Sequence, residues 1–221
     1  CIRDRLGTIQ AAMLGLLGLL LGFSFSGAMS RFNNRQDALW AEASAVKNAY
    51  ERAELLPNGD QVRRSLREYA ALRLELLTRH DRGPADDLTG RMLERFDAPR
   101  VAAFEGVRQA PQYATVVVPG LQAVGDEFAR RNAFERRHLP AEMVIVLIVS
   151  SCLAMGTIGY GVGLSERRTA GMSVCLAALV TATLFVTIDF DRPGRGFITL
   201  DSAALEDLVR DLNRPDAPAR R

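Results

Sequence analysis

The sequence has few residues of the kinds that hold metals. It contains three cysteines and two histidines among 221 residues. Cys152 and Cys175 lie inside apolar runs, where a thiol behaves as a small hydrophobic group. His80 and His138 are isolated, and no Cys or His pair has the spacing of a zinc or haem site. The sequence therefore predicts no metal site and no cofactor.

The sequence also lacks a concentrated block of positive charge. Lysine is almost absent, since Lys47 is the single lysine among 28 basic residues. The basic residues are balanced by 26 acidic ones, and the formal net charge is only +2. A nucleic-acid-binding protein needs a concentrated basic surface. We therefore expect no nucleic acid among the partners of this protein.

Arrangements of residues that are typical of enzymes are missing as well. The chain has no pairing of a nucleophile with a base and no glycine-rich phosphate loop. Its one pair of carboxylates next to an apolar run is Asp189 and Asp191. An intramembrane aspartyl enzyme needs acids on two different spans, deeper in the membrane. The sequence therefore predicts a protein that is not an enzyme.

What the sequence does contain is three long segments without charge. No Asp, Glu, Lys or Arg occurs in residues 9–30, 143–165 or 169–188. The hydrocarbon core of a bilayer is about 30 Å thick, and roughly 20 apolar helical residues cross it. Three segments of this length predict an all-α integral membrane protein with three transmembrane helices.

These segments divide the chain into five parts. We predict transmembrane helices at 9–30, 140–165 and 169–190. A helical domain, 31–139, is inserted between the first and second of them, and a tail, 191–221, follows the third. Three spans place the domain and the tail on the same side of the membrane. Arginines are denser near the membrane ends on that side, so the positive-inside rule predicts that the domain is cytoplasmic.

The first apolar segment carries small residues on one helical face. Gly18, Gly22, Ser26 and Ser30 recur every four residues. Small residues at this spacing let two helix backbones approach closely. The face is therefore predicted to line a pore or contact another copy, or else to pack against a neighbouring span. Phe23 and Phe25 are further candidates for lining the pore or packing against another helix. They lie about 200° apart on a helix, so they cannot both line a pore.

The helical pattern continues beyond the first apolar segment. Neither Gly nor Pro occurs between Gly27 and Pro57, and five apolar positions are spaced alternately by four and three residues: Leu39, Ala43, Val46, Tyr50 and Ala53. A turn signal at 56–60 is followed by a second apolar stripe that includes Val62, Leu66 and Tyr69. Residues 37–77 are therefore predicted to form a helical hairpin that begins as a continuation of the first span.

The two ends of the chain give further expectations. Residues 199–202 are predicted to cap a helix at 203–212. Asp189 has Arg192 three residues later as its predicted partner. The chain begins at Cys1, as a mature lipoprotein does, but the charged residues before an immediate span favour a chain that has lost an earlier segment.

The order of these features resembles the bacterial bestrophin-like family. In the first half the matching residues are Leu21-Gly22-Phe23-Ser24-Phe25-Ser26, Ser30-Arg31-Phe32, Arg35, Glu42-Ala43, Tyr50-x-Arg52, Leu55-Leu56-Pro57, Leu66, Tyr69 and Arg73. In the second half they are Leu139-Pro140, Gly159-Tyr160-x-x-Gly163 and Asp189-x-Asp191-Arg192-Pro193. The resemblance covers most of the chain and is weakest over residues 78–123.

The resemblance implies a fold with four transmembrane helices, the first of which would precede Cys1. Bestrophins are pentameric anion channels with a helical cytosolic body, and their second span lines an apolar neck. The resemblance therefore implies that Phe23, Phe25 and the small-residue face of the first segment lie at such a neck. No run of acidic residues follows the last span here, so a calcium clasp is not expected.

We therefore predict a homo-oligomeric ion channel of the bacterial inner membrane, whose partners are the lipid bilayer, inorganic ions and further copies of itself. Arg31 and Arg35 would favour anions, whereas Asp189 and Asp191 would favour cations if they face the pore. The alternative is a non-conducting, membrane-anchored scaffold or signalling protein that uses the hairpin for helix–helix contacts. The two differ in whether the spans form a ring about a central axis.

Overall fold

A computed structural model describes residues 2–78, 85–135, 140–163, 170–191 and 198–214. All regular structure in these ranges is helical, which confirms the predicted all-α class. The helices are α1 (Ile2–Ala53), α2 (Gly59–Thr78), α3 (Ala85–Gln109), α4 (Ala114–Glu135), α5 (Ala141–Gly163), α6 (Ala170–Asp191) and α7 (Ala203–Leu212). A short 3₁₀ helix, Pro111–Tyr113, precedes α4.

Helix α1 runs without interruption through the first apolar segment and the amphipathic stretch after it. It contains 52 residues, which is about 78 Å at a rise of 1.5 Å per residue. The cause is local, because no glycine or proline interrupts the chain between Gly27 and Pro57. The predicted continuation of the first span into the following domain is confirmed.

Among the described residues, three helices are long and apolar enough to cross a membrane: Gly7–Ala53, Ala141–Gly163 and Ser173–Asp191. In each of them only 17% of the most apolar window is buried within the chain. Large apolar side chains such as Leu19 and Leu179 are exposed. A surface of this kind is suited to lipid or to other copies of the chain. The prediction of three apolar spans is confirmed.

The chain forms two compact units. The first, which we call the membrane unit, comprises Cys1–Asn33 and Arg137–Thr199. The second, which we call the hairpin unit, comprises Asn34–Arg136 and Leu200–Arg221. The membrane unit has a small core of Leu17, Leu21, Leu147, Ala154 and Val180.

The hairpin unit has a larger core, built from one face of each of its helices. Helix α1 contributes the predicted stripe of Leu39, Ala43, Val46, Tyr50 and Ala53. In the turn after α1, the Leu56 amide donates to the Ala53 carbonyl at 3.1 Å and the Gly59 amide donates to the Leu56 carbonyl at 3.0 Å. The chain then reverses into α2, which buries Val62, Leu66 and Tyr69 in the same core. The predicted helical hairpin is confirmed.

Helix α7 adds to the core of the hairpin unit from the far end of the chain. It buries Leu205, Leu208 and Leu212. Nε of Arg67 donates to the Leu212 carbonyl at 2.7 Å, where the negative end of the α7 dipole favours a cation. Nζ of Lys47 donates to Asp211 at 2.9 Å. This hydrogen bond raises the pKa of Lys47 and lowers the pKa of Asp211.

The predicted helix at 203–212 is confirmed, and its side-chain cap lies within the predicted segment 199–202. The backbone of Ser202 is helical, with φ −81° and ψ −7°, and its hydroxyl donates to the Glu206 carboxylate. The carboxylate of Asp201 accepts instead from the Ala203 amide, at 2.9 Å. A residue caps a helix from an extended conformation, which Ser202 does not have. Asp201, the residue before it, therefore provides the side-chain cap.

Candidate functional site

Helix α1 presents two different faces within the membrane unit. Leu17, Leu21 and Ala28 are buried against the other spans. The opposite face, predicted from the four-residue repeat, consists of Gly18, Gly22, Ser26 and Ser30, all of which are exposed. A Cβ added at Gly18 or Gly22 would meet nothing within 4 Å. The small-residue face is therefore unoccupied within a single chain, and its role in lining a pore stays a prediction.

Phe23 and Phe25, which are both predicted candidates for lining the pore, differ in their exposure. The Phe23 side chain is 69% exposed. Phe25 is half-buried, and its ring centroid lies 5.8 Å from that of Phe190 in an edge-to-face arrangement. Of the two, only Phe23 is therefore free to meet ions, lipid or another copy. Phe25 instead packs against the end of α6 within its own unit.

Arg31 and Asp191, two of the predicted selectivity residues, contact each other. Nε of Arg31 lies 3.0 Å from Oδ1 of Asp191, and the side chains are 26% and 6% exposed. The guanidinium passes over Gly27, where an added Cβ would lie 3.4 Å from Nη1 of Arg31. The Arg31 guanidinium therefore lies directly over the surface of α1 at Gly27 on its way to α6.

The last turn of α6 is held by further contacts. Oδ2 of Asp189 accepts from the Ile198 amide at 2.8 Å. Arg192, the partner predicted for Asp189, lies outside the described residues. The Phe190 ring lies between Phe25 and Phe32 of α1, with the Phe32 centroid at 5.3 Å. Both acids and the ring between them therefore have defined partners in the membrane unit.

Arg35 belongs to the hairpin unit and is only 3% exposed. Its Nε donates to the Phe134 carbonyl of α4 at 3.3 Å. Its guanidinium is thus held inside the unit and not on the exposed face of α1. Among the four predicted selectivity residues, the structure brings Arg31 and Asp191 into contact and places Asp189 two residues away. Their effect on ion preference stays a prediction.

Asp37 was missed in the sequence analysis, although it follows directly from the same pattern. It lies seven residues after Ser30, which corresponds to about two helical turns and the same side of α1. Asp37 is exposed, and no other described residue forms an ion pair with it. It is therefore an acid on the exposed side of α1, whereas the acids considered from the sequence, Asp189 and Asp191, both lie on α6.

A buried group of charged and polar side chains lies in the hairpin unit. Glu42 of α1 is completely buried. Its Oε2 lies 3.2 Å from Nε of Arg73 on α2 and 3.1 Å from Nε of Arg131 on α4. The Tyr69 hydroxyl donates to the other carboxylate oxygen. Burial and the neighbouring Glu42 carboxylate raise the pKa of Tyr69 well above its ordinary value.

The sequence analysis also missed the Glu42 group, because Glu42 and Arg73 entered it only as residues of the family resemblance and Tyr69 also as part of an apolar stripe. A signal was present. Glu42 lies on the buried side of α1, between Leu39 and Val46. A carboxylate on an apolar face must find cationic or donor partners when it is buried. The pattern thus indicates that partners exist, but not which helices provide them.

The membrane unit also contains an apolar groove between α1 and α5, of about 280 Å³. Its lining includes Ile9, Leu153 and Tyr160. Nε2 of Gln10 donates to the Thr157 carbonyl at 2.7 Å and so ties the two helices together. In the part of the chain that the structure describes, no three His, Cys, Asp or Glu residues are grouped so as to hold a metal ion.

Comparison with known proteins agrees with this arrangement of helices. A family model described as "Bestrophin-like domain" matches residues 5–205. Two crystal structures of point variants of a bacterial bestrophin homologue from Klebsiella pneumoniae have the same fold, each with a TM-score of 0.71 and 14% sequence identity. The matches cover 93% and 92% of this chain and 85% and 83% of those chains. No curated protein matches the sequence.

Proposed function

The chain belongs to the bestrophin-like family, and on that premise we propose that it assembles with further copies of itself into an ion channel in a membrane. Five copies, the number implied by the family resemblance, would surround a central axis. The proposal places the chain in the bacterial inner membrane with its hairpin unit in the cytoplasm. No catalytic step is assigned to it.

One observation carries the proposal, which is the exposed small-residue face of α1. The side chains on this face are small, since its residues are Gly18, Gly22, Ser26 and Ser30. The exposed Phe23 adds a large apolar ring beside it. Copies arranged with this face toward an axis would form a pathway with an apolar constriction. Such constrictions control ion flow by excluding water.

The finer part of the proposal is a preference for anions. It rests on the family resemblance, because bestrophins conduct anions. A carboxylate along the pathway would favour cations, so the exposed Asp37 would act against this preference if it faced the pathway.

The alternative function is a membrane-anchored scaffold. A specific feature of the hairpin unit favours it, because Val101 and Phe104 of α3 and Val116 at the start of α4 are exposed apolar residues. Residues of this kind, when they are close together, are typical of protein contact surfaces. A scaffold would use them to bind another protein and would carry no current.

Single-channel recording separates these functions. The native-length protein would be reconstituted in planar bilayers with asymmetric potassium chloride. We expect unitary currents with a reversal potential near that of chloride. A reversal potential near that of potassium would retain the channel and reject the anion preference. Absence of current from folded protein, across pH and calcium concentrations, would reject the channel and favour the scaffold.

A matched pair of variants tests whether the exposed face of α1 is the pathway. Gly22→Phe places a ring on that face, and Gly171→Phe places the same ring on α6, where an added Cβ also meets nothing within 4 Å. We expect Gly22→Phe to abolish the current and Gly171→Phe to retain it. Equal currents in the two variants would reject α1 as the lining helix.

A further inference from the structure

The last turn of α6 is an unfavourable place for two acids. Asp189 and Asp191 are 8% and 4% exposed, and they lie at the negative end of the α6 dipole. Ionisable groups at the edge of the hydrocarbon region are costly and persist where they have partners and a role. Here Asp191 is compensated by Arg31 and Asp189 by the Ile198 amide.

The contact between α1 and α6 at this level is also specific in shape. Phe25 and Phe32 lie on one side of α1, seven residues apart, and the Phe190 ring meets both of them edge to face. Ala28, midway between them in sequence, is fully buried. The ring therefore contacts α1 at two successive levels and opposes sliding or rotation of the helix.

The Arg31 side chain completes this contact from the neighbouring face of α1. Its guanidinium lies over the helix surface at Gly27 and reaches Asp191, with Nε 3.0 Å from Oδ1. The small-residue face of α1 points away from these contacts, since Leu17, Leu21 and Ala28 are buried and Gly22, Ser26 and Ser30 are exposed. The contacts that hold α1 in this rotation therefore also determine which of its residues lie on the exposed face.

We propose that Arg31 and Asp191, with the Phe190 ring, form a latch that sets the rotation of α1 and thereby keeps its small-residue face directed to the ion pathway. This inference rests on the proposed function. Arg31 is then a positioning residue. Its charge is compensated by Asp191 within the chain, so removing the pair changes how much current passes and not which ion carries it.

A double-mutant cycle tests the latch. The variants are Arg31→Met, Asp191→Asn, the double variant, and the charge exchange Arg31→Asp/Asp191→Arg. Each would be measured as ion flux per protein in vesicles, as reversal potential, and as melting temperature in detergent. Asp207→Asn, which breaks an exposed ion pair with Arg210 on α7, is the matched control.

We expect each single variant to lower the flux about tenfold, and the double variant to lower it no further, because both remove one interaction. The charge exchange should restore most of the flux and of the melting temperature. Residual currents should keep the wild-type reversal potential, and Asp207→Asn should behave as wild type.

Several results would overturn the latch. Undiminished flux in Arg31→Met with a reversal potential moved toward that of potassium would make Arg31 an ion-selecting residue. Independent, additive losses in the two single variants would show that the pair does not act as a unit. If the wild type itself carries no flux, the proposed function fails, and the melting temperatures alone test the latch. Additive decreases of the melting temperature in the two single variants, with no recovery in the charge exchange, would then reject it.

Discussion

Glu42 and Arg73 form an ion pair of 3.2 Å that is almost completely shielded from solvent. Arg131 approaches the same carboxylate oxygen from α4. One carboxylate thus joins three helices of the hairpin unit and contacts two guanidiniums.

Replacing Glu42 with Gln is therefore expected to destabilise the protein strongly. Removal of one partner from a buried ionic group leaves uncompensated charge and costs about 3–5 kcal/mol. Thermal unfolding in detergent, followed by circular dichroism, measures the loss. Asp207→Asn, whose ion pair is exposed, should leave the melting temperature unchanged. Similar melting temperatures for the two variants would contradict the buried ionic core.

The raised pKa of Tyr69 predicts a loss of stability at high pH. Its ordinary pKa is 10.0, and in the folded protein the pKa is raised, first by burial and then by the Glu42 carboxylate. Above pH 10 the unfolded chain releases this proton while the folded chain keeps it. The contribution of Tyr69 is thus complete below pH 10 and is lost as the pH rises further, at about 1.4 kcal/mol per pH unit.

The comparison that isolates this effect is Tyr69→Phe. At pH 7 the variant should be less stable by about 1–2 kcal/mol, because the Glu42 carboxylate loses a donor. Between pH 10 and 11 the difference from wild type should shrink, since the variant has no such proton to lose. A constant difference across this range would contradict the raised pKa.

Phe23 and Phe25 allow the same substitution to be compared at two positions. Phe25→Ala removes a half-buried ring from its contact with Phe190 and should cost about 2 kcal/mol of stability. Phe23→Ala removes an exposed ring and should leave stability unchanged. In bilayers, Phe23→Ala should raise the unitary conductance by widening the apolar constriction. Unaltered conductance would exclude Phe23 from the constriction.

Asp37 offers a direct test of which side of α1 meets ions. Asp37→Asn should move the reversal potential toward that of chloride, and Asp37→Arg should move it further, because a carboxylate along a pathway favours cations. Asp207→Asn on α7 serves as the control. If even Asp37→Arg leaves the reversal potential in place, the exposed side of α1 does not line the pathway.

Gly59 is required by the turn between α1 and α2. A Cβ at this position would overlap the Ala53 carbonyl oxygen and lie 3.2 Å from the Ala53 carbonyl carbon, and neither backbone atom can move alone. Gly59→Ala should therefore cost about 1–3 kcal/mol. Gly171→Ala, at a helical position with free space, should be neutral or slightly stabilising. Equal melting temperatures would show that the turn can rearrange.

Local patterns in the sequence were sufficient for much of the fold. The uncharged segments, the alternating spacing of Leu39 to Ala53 and the turn at 56–60 act within one helix or one turn, so they predict α1, α2 and the spans directly. The cap of α7 shows the limit of such patterns. Asp201 and Ser202 are both good capping residues, and only the backbone conformation of Ser202 decides between them.

Contacts between distant segments could not be predicted in this way. Arg31 and Asp191 are 160 positions apart in sequence, and each has nearer residues of opposite charge. Glu42 is surrounded by helices whose relative placement depends on the whole core of the hairpin unit. A buried acid indicates that it needs partners, but the identity of a partner depends on packing that no single segment specifies.

The position of α7 after α5 and α6 has a consequence for synthesis on the ribosome. The hairpin unit is interrupted in sequence by both α5 and α6, and Leu205, Leu208 and Leu212 are made after both of them. Synthesis proceeds at roughly 5–20 residues per second, so α5 and α6 take several seconds to be made and to enter the membrane. During this time the apolar surface that α7 covers in the folded unit is exposed on the nascent chain. Translation that stops before Leu205 therefore yields inserted spans attached to a hairpin unit that cannot close.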